Sequence, residues 1–134
     1  MIYMLDTNIL IYLMKNKPLA VAERVAKLTS QDQLVMSFVT YAELFKGANR
    51  SNNPPQALAK IAQIIQRIAV LYPDNKTCEF YGVWSNKLKQ QGTPIGNNDL
   101  WIACHALACN AVLVTHNVKE FKRIDSLNWQ DWTV

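Results

Sequence analysis

The chain alternates short, nearly unbroken apolar runs with longer stretches in which apolar residues recur at helical spacing. Ile2-Tyr3-Met4-Leu5 is the first run, and it stops at Asp6. An apolar run closed by turn-forming polar residues is how a strand buried on both faces is written. Gln33 to Ser37 (QLVMS), Ala69 to Tyr72 before Pro73, and Ala111 to Thr115 (AVLVT) repeat the pattern, and the tail around Trp129 to Thr133 suits an edge strand.

Helices are expected between these runs. Ile9 to Lys15 is a short one, ended by Lys15-Asn16-Lys17-Pro18, and Leu19 to about Thr29 is a second, with Val21, Val25 and Leu28 on one face. Thr40-Tyr-Ala-Glu43 opens a helix that runs to about Asn49. The loop Arg50 to Pro55 (RSNNPP) separates it from a helix over Gln56 to Ala69, where Leu58, Ile61, Ile65 and Ile68 form an apolar stripe. Asp74 to Gln91 is a longer helix with Tyr81, Trp84 and Leu88 at helical spacing; it closes at Gly92 and carries Cys78 as a packing residue. The helix from about Leu100 to Cys109 is apolar nearly all round, which places it centrally. His116 to Phe121 reads as a tight connection or a helical turn. Strands alternating with helices predict an α/β fold with a mainly parallel central sheet of four or five strands and helices on both faces.

Composition narrows the class. A length of 134 residues fits a single domain, and 50% hydrophobic against 18% charged residues excludes a disordered chain. The net charge of +4 permits a polyanionic partner without requiring one. Three cysteines, Cys78, Cys104 and Cys109, form neither a CxxC pair nor an even disulfide set, so a cytoplasmic protein is expected. No secretory pattern opens the chain, and Leu100 to Val114 is too short an apolar stretch to span a bilayer. No membrane association is expected.

Three carboxylates stand where such a sheet would place ligands, outside the carboxyl ends of its strands. Asp6 follows the first strand, although Asp6 or Thr7 could simply cap the next helix. Glu43 follows the second strand by a few residues; Thr40-x-x-Glu43 also matches a capping box. Asp99 opens the central helix after a loop with a proline and two glycines, and there it also suits the helix dipole. Together at one sheet edge they would repel unless a divalent cation or protonation relieved them. Oxygen ligands without His or Cys favour Mg²⁺ or Mn²⁺ over zinc. Lys46 and Arg50 share the helical face of Glu43. His105 reads as a satisfied core residue. His116, after a strand end, is either solvated or within reach of the pocket.

In order and spacing, LDTN at Leu5 to Asn8, TYAEL at Thr40 to Leu44, PIGNNDLWIACHA at Pro94 to Ala106 and VTHNVKEF at Val114 to Phe121 resemble the PIN-domain ribonucleases of the VapC toxin type. The resemblance spans the chain. It implies a PIN fold, metal ligation by Asp6, Glu43 and Asp99, and a fourth acidic position that falls on Asn117, which would weaken a second metal site. Thr7 and Thr115 resemble pocket hydroxyl residues, and Asn98 resembles a hydrogen-bond donor to substrate or to a water on the metal. The implied activity is Mg²⁺- or Mn²⁺-dependent hydrolysis of RNA, often tRNA, leaving a 5′-phosphate and a 3′-hydroxyl. Lys46, Arg50, Lys87, Lys89 and Lys119 are the candidate phosphate contacts. The implied partners are a VapB-type antitoxin that covers the site, a second toxin copy within that complex, and operator DNA reached only through the antitoxin.

Two rivals remain from the residues alone. A haloacid-dehalogenase-like phosphatase needs a second Asp two residues after the first, and that position is Asn8. A PIN-like RNA-binding module of weak activity would keep the fold with a vestigial pocket, and Asn117 is the feature that favours it.

Overall fold

In a computed structural model describing residues 1–134, the strands are β1 (Ile2–Leu5), β2 (Gln33–Ser37), β3 (Ala69–Leu71), β4 (Val112–Val114) and β5 (Trp129–Gln130). They form one sheet in the order β3-β2-β1-β4-β5, and every pairing is parallel. The chain therefore builds outward from β1 in one direction and later returns to build outward in the other. That leaves a topological switch between β1 and β4, the point where sheets of this kind open a crevice for ligands.

Strand alternation divides the core into two layers. Met4, Val35 and Leu113 face one layer, with Trp84, Leu88, Ile102 and Phe121. Their neighbours Leu5, Met36 and Val114 face the other, with Ile9, Leu44, Ile61 and Trp132. The helices are α1 (Thr7–Lys15), α2 (Leu19–Ala26), α3 (Phe38–Arg50), α4 (Pro54–Ile64), α5 (Asn75–Gln90), α6 (Asn97–Ala108) and α7 (Val118–Phe121). Asn16 ends α1 and Asn110 follows α6, both in the left-handed conformation that asparagine tolerates better than most residues, while Gly92 at φ 71° follows α5.

Several boundaries differ from the sequence expectation. The helix after β2 begins at Phe38, with Ser37 as its cap through a 3.2 Å bond from the Val39 N–H. Thr40 is therefore inside the helix, and the Thr40-x-x-Glu43 capping box does not form. Asn53 caps α4, which stops at Ile64; turns over Ile65 to Ile68 then lead into β3. The central helix starts earlier than Leu100, at Asn97, so Asp99 lies in its first turn. Cys78 is exposed on α5 and does not pack.

His105 is only half as satisfied as expected. Its Nδ1 lies 2.9 Å from the Ser37 hydroxyl, while Nε2 has no partner of ordinary hydrogen-bond geometry and only the Tyr72 carbonyl beside it. Ser37 accepts from Val39, so its O–H is free to donate to Nδ1. This selects the neutral tautomer with the proton on Nε2, and burial lowers the histidine pKa in keeping with a neutral ring.

Candidate active site

The carboxyl ends of β1, β2 and β4 bring the predicted acids together. The Asp6 N–H continues the ladder by donating to the Val114 carbonyl at 3.0 Å, which sets Asp6 beside Thr115 at the switch point. The residue is 5% exposed, and its carboxylate accepts from the Ile9 N–H at 3.0 Å. The helix-cap reading of Asp6 is thus correct, and the same residue still faces the crevice. Burial pushes its pKa up, and the charges of Glu43 and Asp131 add to that. The Thr115 hydroxyl and the Ile9 N–H favour the charged form without cancelling the rise.

Glu43, in the second turn of α3, reaches across to α1 and α6. The Thr7 hydroxyl donates to its Oε1, and the Asn98 amide lies 3.4 Å from Oε2. The Thr40 hydroxyl sits 3.2 Å from that of Thr7. Residues predicted from three separate motifs thus converge on one carboxylate, and none of these contacts holds the start of α3.

Asp99 enters from the first turn of α6. Its pKa is pushed up to about 7, first by burial, then by a hydrogen bond with Glu120 and by the charges of Glu120, Asp6 and Glu43. Asn117 joins the two acids: its Nδ2 lies 3.4 Å from Asp99 Oδ2 and 2.8 Å from Glu120 Oε2, while its backbone N–H donates to Thr115 Oγ1 at 2.9 Å. The sequence reading missed Glu120. The signal was present, because His116 to Phe121 as a helical turn sets positions 117 and 120 on one face. A further carboxylate, Glu120, stands one turn after Asn117, and the Asn117 amide bridges it to Asp99.

The predicted cations divide. Lys46 lines a cleft of about 460 Å³ with Glu43, Asn98, Phe38 and Trp101, and Lys119 is next to Glu120 on α7. Arg50 sits in the last turn of α3, two turns beyond Glu43. The Lys87 ammonium lies 4.6 Å from the centre of the Trp84 ring, and Lys89 lines a different cleft with Pro94 and Asn97. These last three make no contact with the acids.

All donors at this edge are oxygens or amides, the set that hard divalent cations take. As they stand, no three of the acids are close enough to enclose an ion. Glu43 is drawn toward Thr7 and Asn98, and Asp99 toward the Asn117 amide, which is how mutually repelling carboxylates settle on neutral donors.

The PIN domain profile matches residues 3–127. The chain is 65% identical over 133 residues to Ribonuclease VapC1 of Haemophilus influenzae (strain R2866), covering 99% of each. It is 40% identical over 131 residues to the tRNA(fMet)-specific endonuclease VapC of Shigella flexneri, covering 98% of each. A structure of VapBC-1 from nontypeable Haemophilus influenzae superposes with a TM-score of 0.95 at 64% identity, covering both chains completely. With a five-stranded parallel sheet whose switch point gathers four carboxylates, this chain belongs to the PIN-domain ribonucleases of the VapC type, the toxins of VapBC toxin-antitoxin systems.

Proposed function

We propose that the chain hydrolyses RNA phosphodiester bonds, tRNA being the substrate, with Mg²⁺ or Mn²⁺ held by Asp6, Glu43 and Asp99 and with Glu120 as the fourth acid. The observation that carries this reading is the crowding of these carboxylates at one sheet edge, where burial first, and then the hydrogen bond with Glu120 and the charges of Glu120, Asp6 and Glu43, push the pKa of the Asp99 carboxyl up to about 7. Crowding of that kind is relieved by a divalent cation, and a vestigial pocket would have no cause to retain it. The cation, when bound, supplies Lewis acidity toward water and neutralises charge on the scissile phosphate.

The chain's own residues do the rest. Thr7 and Asn98 hold the Glu43 carboxylate, and the Ile9 N–H and Thr115 hold Asp6, at the rim of the crevice, from which these acids would turn inward to take up the cation. Asn117 keeps Asp99 and Glu120 on one side of the crevice. Lys46 at the cleft beside Glu43 holds a neighbouring phosphate, and Lys119 offers a second contact. The tRNA assignment rests on the likeness to the tRNA(fMet)-specific endonuclease VapC of Shigella flexneri. A single-stranded loop suits the open crevice, because its backbone is accessible where a duplex would be shielded.

The chain works within a complex with a VapB-type antitoxin, as a toxin homodimer, and meets operator DNA only through that antitoxin. The pairing is supported by the VapBC-1 likeness. A groove between α1, α3 and α4, lined by Ile11, Met14, Leu44, Ala57 and Ile61 with Glu43 at its edge, fits an apolar segment that carries a cation onto the acid.

The test is cleavage of tRNA by the purified chain in EDTA and after addition of Mg²⁺ or Mn²⁺. Restoration by metal is expected in the wild type and is absent in Asp6→Asn. Equal cleavage in EDTA, or full cleavage by Asp6→Asn, overturns the metal assignment.

A further inference from the structure

The acids leave one question about this site: what receives the phosphate backbone on the β4 and β5 side, away from Lys46. His116 follows Thr115 directly, and its side chain is 58% exposed. Thr115 lies beside Asp6 and Asn117 contacts Asp99, so the residue between them stands at the rim of the acid pocket.

The ring is held although it is exposed. Nδ1 lies 3.0 Å from Asp131 Oδ2 and 2.9 Å from Thr133 Oγ1. The other Asp131 oxygen is already occupied, since Oδ1 accepts the Thr133 hydroxyl at 2.6 Å and the Thr133 N–H at 2.9 Å. A carboxylate only accepts, and the Thr133 hydroxyl proton points at Oδ1, so both oxygens near the ring present lone pairs and Nδ1 carries the proton. Nε2 is thereby turned outward. Asp131 is itself 13% exposed, and its charge acts on Asp6.

The frame behind this arrangement is hydrogen-bonded and packed. Gln130 and Trp132 alternate onto the opposite side of the tail, where Gln130 Oε1 accepts from Arg24 Nη2 at 3.1 Å and from Trp132 Nε1 at 2.9 Å. Trp132 is 1% exposed. An exposed His–Asp pair contributes little to stability by itself; an aimed imidazole beside a cluster of acids suits a ligand.

We propose that His116 is a substrate-contacting residue, whose Nε2, aimed by Asp131 and Thr133, binds a phosphate of the RNA on the β4–β5 side of the acid pocket while Lys46 holds one on the β2 side. The assignment rests on the ribonuclease reading. Asp131 and Thr133 are positioning residues. On binding, the ring takes a proton from solvent at Nε2 and donates it to the phosphate oxyanion, while Nδ1 donates to Asp131, a charge-assisted contact.

Steady-state cleavage, binding of single-stranded RNA in EDTA by fluorescence anisotropy, and thermal melting test this on the full chain. His116→Ala is expected to raise KM on the order of tenfold with kcat within about twofold, and Asp131→Asn to move KM in the same direction by less. The slope of log binding constant against log salt should fall by about 0.7, the value for one phosphate on a single strand. His116→Lys should restore both. An unchanged KM and salt slope in His116→Ala overturns the proposal, as does a fall in kcat at constant KM or a lowered melting temperature as the sole effect. If the wild type cleaves no RNA, the ribonuclease reading fails, and the binding arm in EDTA still decides whether His116 grips a phosphate.

Discussion

At the scale of single residues, the acids show why one side chain can satisfy a bland role and a chemical one together. Asp6 caps α1 through Ile9 and also faces the crevice. Asp99 carries the clearest consequence. Its folded carboxyl holds a proton up to about pH 7, whereas the unfolded one releases it near the ordinary value of 3.8. Between those values the folded state binds the extra proton, so this group's contribution to stability falls as pH rises. Asp6 acts with the same sign; His105, whose pKa is lowered by burial, acts oppositely below about its ordinary value of 6.5. Wild type and Asp99→Asn are therefore best compared as a difference. In EDTA, Asp99→Asn should melt higher than wild type at pH 8, with the gap closing toward pH 5, while cleavage in Mg²⁺ is lost. A variant that melts lower at pH 8 would mean that Asp99 is not under repulsion. Glu120→Gln is expected to bring the Asp99 pKa down, since it removes a neighbouring charge, and to lower activity; carboxyl NMR titration of the metal-free protein reads the first effect.

At the scale of elements, the start of α3 separates structure from chemistry. Ser37 both caps the helix and partners His105, so Ser37→Ala should cost about 1–3 kcal/mol by urea unfolding, from the lost cap and the newly orphaned Nδ1. Glu43 does neither. Its bonds run to Thr7 and Asn98, on α1 and α6. Glu43→Gln is expected to abolish most cleavage and leave the unfolding midpoint close to wild type; wild-type turnover by this variant would remove Glu43 from the site. The capping-box motif misled here because it is local, and the true cap depends on where β2 ends. That end is set by the register of β2 on β1, with Met4 opposite Val35.

At the scale of the whole molecule, the sheet order decides the site. Placing β4 on the free side of β1 puts Thr115 next to Asp6 and Asn117 against Asp99, while β2 brings α3 and Glu43 from the other side. The central strands hold this together, and Leu113, fully buried beneath α6, is a direct probe: Leu113→Ala should cost about 2–5 kcal/mol by urea denaturation.

The strand and helix succession, the parallel class of the sheet and the candidate acids Asp6, Glu43 and Asp99 are legible along the chain. Apolar runs, helical periodicity and the acids at strand ends are local signals, and the motif order added the family. Only the tertiary structure decided how those acids are joined. Glu120 comes to Asp99 because α7 turns it there, and the Asn117 amide lies between the two. The aim of His116 comes from Asp131 and Thr133, fifteen and seventeen residues away in the chain. The physical reason is the same in each case: which groups share protons and charge depends on distances across the sheet edge, and spacing along the chain does not set those distances until strand order and register are fixed.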